Sequence, residues 1–146
     1  MFDGEMSDRV IRHQQDRASD PLKAQWQLAE CPVDLPALLD KAQVHECLLI
    51  DCLTLWLNNV IYQLENSLVA NEINDIDTAL AHKITQLLSS LIQCKAKVVL
   101  VSNEVGLGVI PMGQTTRLFV DHAGWLNQKI ATVADNVTLV TAGLPM

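Results

Sequence analysis

The chain has 146 residues, 49% of them hydrophobic and 18% charged, and a formal net charge of −7. That length fits one domain able to bury a core, and the composition excludes a disordered chain. The acidic balance argues against nonspecific binding to nucleic acid or anionic membrane, but leaves room for a small anionic ligand, whose contact depends on local charge.

The opening residues, MFDGEMSD, are acidic and lack the apolar run of a signal peptide. From about Glu5 to Asp16 the pattern predicts a short polar helix, then a turn at ASDP. AQWQLAE alternates as a short strand ending at Glu30, with Pro32 closing it, and DLPALLDKAQ predicts a helix capped by Asp34.

ECLLIDCL is the clearest strand, and its continuous run CLLI predicts burial on both faces. TLWLNNVIYQLE follows with helical spacing, ENSLVANEIND reads as a surface excursion, and IDTALAHKITQLLSSLIQC as a long amphipathic helix. A second buried strand, KVVLVS, leads into the glycine-rich loop NEVGLGVIPMGQ. A helix from about Thr115 to Ala134 and a last strand, NVTLVT, complete the pattern. Strands separated by such helices imply βαβ units and a parallel sheet, whose ligands bind outside the carboxyl ends of the strands.

No apolar stretch is long enough to span a bilayer. Cys31, Cys47, Cys52 and Cys94 form no C-x-x-C and no Cys/His cluster, which reads as buried free thiols in a reducing cytosol. The expectation is a single-domain, cytoplasmic protein with no nucleic-acid partner and no membrane insertion.

Two strand ends carry candidate chemistry. Asp51 closes the first apolar strand, as the Mg²⁺-holding acid does in nucleotide-binding α/β proteins, although a plain capping acid gives the same pattern. The second strand releases Ser102, Asn103 and Glu104 into a loop where Gly106 and Gly108 permit close backbone approach. A flexible turn explains those glycines but not Asn103-Glu104. Arg117 and Asp121 are spaced as a surface pair, or Arg117 serves an anion at its helix start. His45, His82 and His122 read as surface or packing histidines.

Arg9, His13 and Arg17 recur every four residues and line one helix face, with Arg12 nearby. Flanking guanidinium groups favour a neutral imidazole and offer forks for phosphate oxygens. A solvated polar helix is the competing reading, and residue physics alone favours it.

Taken in order, DGEMSDRVIRHQQDR, WQLAE, LLIDCLTLWLNN, KVVLVSNEVGLGVIP and RLFVDHAGWLNQKIA resemble the bifunctional adenosylcobinamide kinase / adenosylcobinamide-phosphate guanylyltransferase family across nearly the whole chain. The resemblance implies an α/β, three-layer P-loop-type fold: a mostly parallel sheet with helices on both faces. It implies phosphorylation of adenosylcobinamide, then GMP transfer from GTP to adenosylcobinamide phosphate through a guanylyl-histidine. His13 takes the place of that histidine. Gln14, Gln15, Asp16 and Arg17 take those of the nucleotide contacts, Glu30 that of a second nucleotide-binding acid, and Asp51 that of the strand-end acid and candidate Mg²⁺ ligand. Implied ligands are GTP or ATP with Mg²⁺ and adenosylcobinamide or its phosphate, and the implied assembly is a homotrimer.

The sequence departs from the family pattern in two places. The stretch between Arg17 and Trp26 is a few residues longer than in relatives. They also open with a strand, a GGxRSGKS P-loop and a helix, whereas no G-x-x-x-x-G-K-[ST] occurs in these 146 residues. On that pattern the chain is expected to lack the N-terminal strand and P-loop, to expose an apolar edge beside the Cys47 strand, and to show neither activity at useful rates by itself. A noncatalytic nucleotide- or corrinoid-binding remnant, or a subunit complemented by a separate P-loop chain, is the alternative.

Overall fold

The long helices form where apolar residues recur at helical spacing and can be buried together. The computed structural model describes residues 11, 12, 15, 19, 26–70, 73, 75–108 and 112–146. It divides into two compact units, Met1–Glu30 and Cys31–Met146.

In the first unit, Ile11, Arg12, Gln15 and Ser19 are helical, and Trp26 to Glu30 are exposed and outside any strand. Among the described residues the strand expected to end at Glu30 is therefore not formed. Alternation in AQWQLAE supplies one amphipathic face, but a strand also needs a neighbour to take its backbone hydrogen bonds.

The second unit runs α1 (Leu35–Lys41), β1 (Cys47–Asp51), α2 (Leu53–Val69), α3 (Ile76–Gln93), β2 (Lys97–Val101), α4 (Gln114–Ala131), β3 (Val140–Thr141) and β4 (Leu144–Pro145). α2 buries Leu53, Trp56, Leu57, Val60, Ile61 and Leu64, one stripe at spacings of three and four. Leu80, Ile84 and Leu87 of α3, Ala123, Leu126 and Ile130 of α4, and Leu35 and Leu39 of α1 join it in one core cluster. The indole N–H of Trp56 donates to the Val33 carbonyl at 3.0 Å, which ties the segment before α1 to α2.

Asp75 caps α3, accepting the backbone N–H groups of Asp77 at 3.3 Å and Thr78 at 2.9 Å. Asp34 stands at the equivalent place before α1, as expected, but its side chain makes no cap bond. Pro36 in the first turn has no N–H to offer, and its ring presets the helical backbone.

β1 and β2 pair in parallel, with Asp51 opposite Val101, and among the described residues they pair only with each other. Leu48, Ile50, Val98 and Leu100 pack on the core. The other face is open: Leu49 is 48% exposed, Val99 47% and Val101 38%. The expectation that CLLI is buried on both faces is thus corrected to one covered face among the described residues. An unbroken apolar run makes both faces suitable for burial, and the tertiary structure decides which receives a partner.

The final strand is shorter than the NVTLVT pattern predicts. Val140–Thr141 folds back on Leu144–Pro145 through Ala142 and Gly143, both at positive φ (51° and 81°), the backbone of a tight primed hairpin turn. Among the described residues no helix is long and apolar enough to cross a membrane.

Candidate functional site

Parallel pairing in register brings the carboxyl ends of β1 and β2 side by side. Asp51, the last residue of β1, is exposed there. Cys52 follows it and α2 begins at Leu53; β2 ends at Val101 and releases Ser102, Asn103 and Glu104. The sequence reading placed its candidate strand-end groups here.

A connected set of polar side chains lies at these ends. Asn103 donates its side-chain N–H to Thr54 Oγ1 at 3.1 Å, and Thr54 Oγ1 lies 2.9 Å from Cys52 Sγ. The Ser102 hydroxyl donates to Asn127 Oδ1 at 2.6 Å, and the Asn127 amide donates to the Asn103 carbonyl at 3.4 Å. The network therefore joins both strand ends to the first turn of α2 and to the C-terminal part of α4. Thr54 is buried at 6% exposure, so its hydroxyl requires such partners.

Glu104 accepts the Gly106 N–H at 2.8 Å, folding the start of the glycine-rich loop. A Cβ at Gly106 would come within 2.9 Å of Glu104 Oε1, so glycine leaves room for that carboxylate. Arg117 donates to the Met112 carbonyl at 2.5 Å, which fastens the far end of the loop to the first turn of α4.

Of the residues expected to bind nucleotide, Asp51 is the one at this site. Gln15 and Glu30 are exposed and belong to the 1–30 unit. His13, Gln14, Asp16 and Arg17 lie outside the described residues. Thr54 and Asn127 were not singled out as site groups by sequence. Their signal was faint: one hydroxyl on the apolar stripe of α2, and one amide among the apolar residues of the helix expected from about Thr115 to Ala134.

The donor set fits a hard divalent cation in only one manner. Among the described residues no three His, Cys, Asp or Glu side chains group to hold a metal. Glu104 is engaged by the Gly106 N–H, and the exposed carboxylate of Asp51 suits Mg²⁺ that keeps several waters and takes further oxygens from substrate phosphates. A concavity elsewhere, lined in part by Asp34 before α1, Asp40 of α1 and His82 and Lys83 of α3, contains none of the strand-end network.

A parallel βαβ arrangement with polar groups gathered at its strand ends defines an α/β protein, a class in which ligands bind outside the carboxyl ends of the strands. The cobinamide kinase / cobinamide phosphate guanyltransferase family matches residues 1–146, and the chain belongs to that family. It is 42% identical over 145 residues to the bifunctional adenosylcobalamin biosynthesis protein CobP of Pseudomonas aeruginosa, covering 99% of this chain and 75% of the relative. To the bifunctional adenosylcobalamin biosynthesis protein CobU of Salmonella typhimurium it is 35% identical over 148 residues, covering 99% and 78%. To the protein of that name in Escherichia coli it is 31% identical over 147 residues, with the same coverage.

Proposed function

We propose that this chain acts in cobalamin biosynthesis as an adenosylcobinamide kinase and adenosylcobinamide-phosphate guanylyltransferase. The observation that carries this reading is the family match over residues 1–146, which includes the histidine segment and the Asp51 strand end. On it, the full fold is a three-layer P-loop-type sheet, the enzyme is cytoplasmic and works as a homotrimer, and GTP or ATP binds with Mg²⁺.

In this reading the neutral imidazole of His13 attacks the α-phosphorus of GTP. A P–N bond forms, the bond to the β-phosphate oxygen breaks, and pyrophosphate leaves. An oxygen of adenosylcobinamide phosphate then attacks the same phosphorus, the P–N bond breaks, and His13 is regenerated as GMP passes to the product. Gln14, Gln15, Asp16, Arg17 and Glu30 bind the nucleotide, with Arg17 offsetting phosphate charge. Asp51 is the carboxylate suited to Mg²⁺, which when bound neutralises charge building on the phosphates.

Incubation with α-labelled GTP tests the transfer step. The expected result is a covalent, acid-labile label that His13→Ala abolishes and adenosylcobinamide phosphate discharges. A label that survives His13→Ala overturns the role of His13.

A second reading, nucleotide or corrinoid binding without turnover, is favoured by one observation: these 146 residues contain no P-loop motif to cradle β- and γ-phosphates. It expects GTP or corrinoid binding by calorimetry with neither kinase nor transfer turnover. Turnover of the purified chain at rates ordinary for kinases, about 1–100 s⁻¹, overturns it.

A further inference from the structure

We infer that Thr54 is a positioning residue for the Asp51 site, acting through the strand-end hydrogen bonds rather than on the ligand itself. The inference rests on the proposed role of Asp51 in holding Mg²⁺ with a nucleotide.

Thr54 occupies the second position of α2, where a hydroxyl is free to turn toward solvent or toward the helix backbone. Here it is buried at 6% exposure and engaged by two side chains, one from each strand end. A hydroxyl has one proton and two lone pairs. The lone pair that accepts Asn103 Nδ2 leaves the proton, or the second lone pair, for Cys52 Sγ at 2.9 Å. Cys52 is the residue directly after Asp51, and Asn103 lies two residues beyond the end of β2. One hydroxyl therefore sets the spacing between the chain leaving β1 and the chain leaving β2.

The far side of the link is secured independently. Asn127 of α4 accepts from the Ser102 hydroxyl and donates to the Asn103 carbonyl, so Asn103 reaches Thr54 from a braced backbone. Asp51 and Asn103 are themselves exposed. Buried Thr54 and half-buried Ser102 and Asn127 hold the frame, and the exposed Asp51 carboxylate at its mouth stays available to a ligand. A cation held by one protein carboxylate and by phosphate oxygens is sensitive to where that carboxylate stands, because Mg²⁺ tolerates little departure from octahedral geometry.

Thr54→Val keeps the shape of the side chain and deletes both hydrogen bonds. The variant is expected to bind Mg²⁺–GTP about ten-fold more weakly by calorimetry, to bind GTP in EDTA like the wild type, and to retain a Tm within a few degrees. Thr54→Ser, which restores the hydroxyl, should regain the Mg²⁺-dependent affinity. Asn103→Ala breaks the same link from an exposed position and should reproduce the loss if Thr54→Val folds poorly. In combination with Asp51→Asn, Thr54→Val should add nothing further, since both act through one carboxylate.

Asp51→Asn separates the two levels of the argument. If Asp51→Asn weakens Mg²⁺–GTP binding while Thr54→Val and Asn103→Ala behave as wild type, the positioning role is overturned and the role of Asp51 stands. The positioning role also falls if the loss persists in EDTA or adds to that of Asp51→Asn. If Asp51→Asn has no effect, or the wild-type chain binds no Mg²⁺–GTP, the role of Asp51 and the inference fall together.

Discussion

His122 Nε2 lies 3.0 Å from Asp77 Oδ1, joining the middle of α4 to the first turn of α3. The histidine side chain is 4% exposed and the carboxylate 64%, so the bond runs from the interior to the surface. His122 also meets Trp125 edge-on, with ring centroids 4.9 Å apart, while its Nδ1 is buried without a partner. The residue read from sequence as ordinary thus pins two helices and carries a desolvation cost at the same time. His122→Ala should destabilise the unit by about 2–3 kcal/mol in urea unfolding, from the cavity and the lost bond together. Asp77→Ala should cost less, about 1 kcal/mol, because water replaces the exposed carboxylate. A smaller loss for His122→Ala than for Asp77→Ala would contradict the packing role.

The cap of α3 predicts an acid limb to stability. Hydrogen bonds from the Thr78 side chain and backbone, then from the Asp77 backbone, hold the Asp75 carboxyl below its ordinary value. A carboxyl whose pKa is lower folded than unfolded contributes fully above the unfolded value, about 4, and loses that contribution as pH falls through the folded one. Asp75→Asn keeps a capping oxygen and loses the charge, so its Tm should approach that of the wild type as pH drops below about 4. Asp75→Ala should unfold a few degrees earlier at neutral pH. A Tm gap between wild type and Asp75→Asn that widens in acid would exclude the cap as its source.

The cysteines should separate by reactivity. Partial burial, and then the nearby Asp34 carboxylate, push the Cys31 thiol above its ordinary value, with a backbone hydrogen bond at Asp34 opposing them. The expectation of buried thiols is corrected: Cys47 is exposed on β1, where its side chain falls on the uncovered face, and Cys31, Cys52 and Cys94 are half-buried. At pH 8 iodoacetamide should modify Cys47 before Cys31, because the thiolate is the reacting species. Asp34→Asn should speed the reaction at Cys31 by removing the carboxylate charge. Mass spectrometry of quenched samples gives both rates, and an unchanged Cys31 rate would rule out that electrostatic contribution.

The two faces of β1 and β2 predict opposite responses to substitution. Leu48, Ile50, Val98 and Leu100 pack on the helical core, so Leu100→Ala should cost about 2 kcal/mol or more. Leu49 and Val99 are nearly half exposed on the other face, so Leu49→Thr and Val99→Thr should each change stability by less than about 1 kcal/mol. The same changes should lower self-association in light scattering, since an open apolar strand face invites pairing. Equal losses on the two faces would show that the outer face is covered in solution.

Much of this structure is legible in the sequence. The stripe from Leu53 to Leu64 and the run from Ile76 to Leu87 repeat every three or four residues, and helix geometry alone converts that spacing into one buried face. Asp51 ends an unbroken apolar run, which places a carboxylate at a strand's carboxyl end before any contact is known. What the sequence determined by itself is therefore local: element type, helix face and the position of the strand-end acid. The tertiary structure decided the rest, since it turned on partners far along the chain. Trp26 to Glu30 alternate but form no strand, and Leu49 is as apolar as Leu48 but, among the described residues, stays half exposed while Leu48 packs on the core. Thr54 looks like a small interruption in a core stripe until the fold brings Asn103, 49 residues away, within 3.1 Å of its hydroxyl. Periodicity records what a residue can bury, and only folding supplies the group it is buried against.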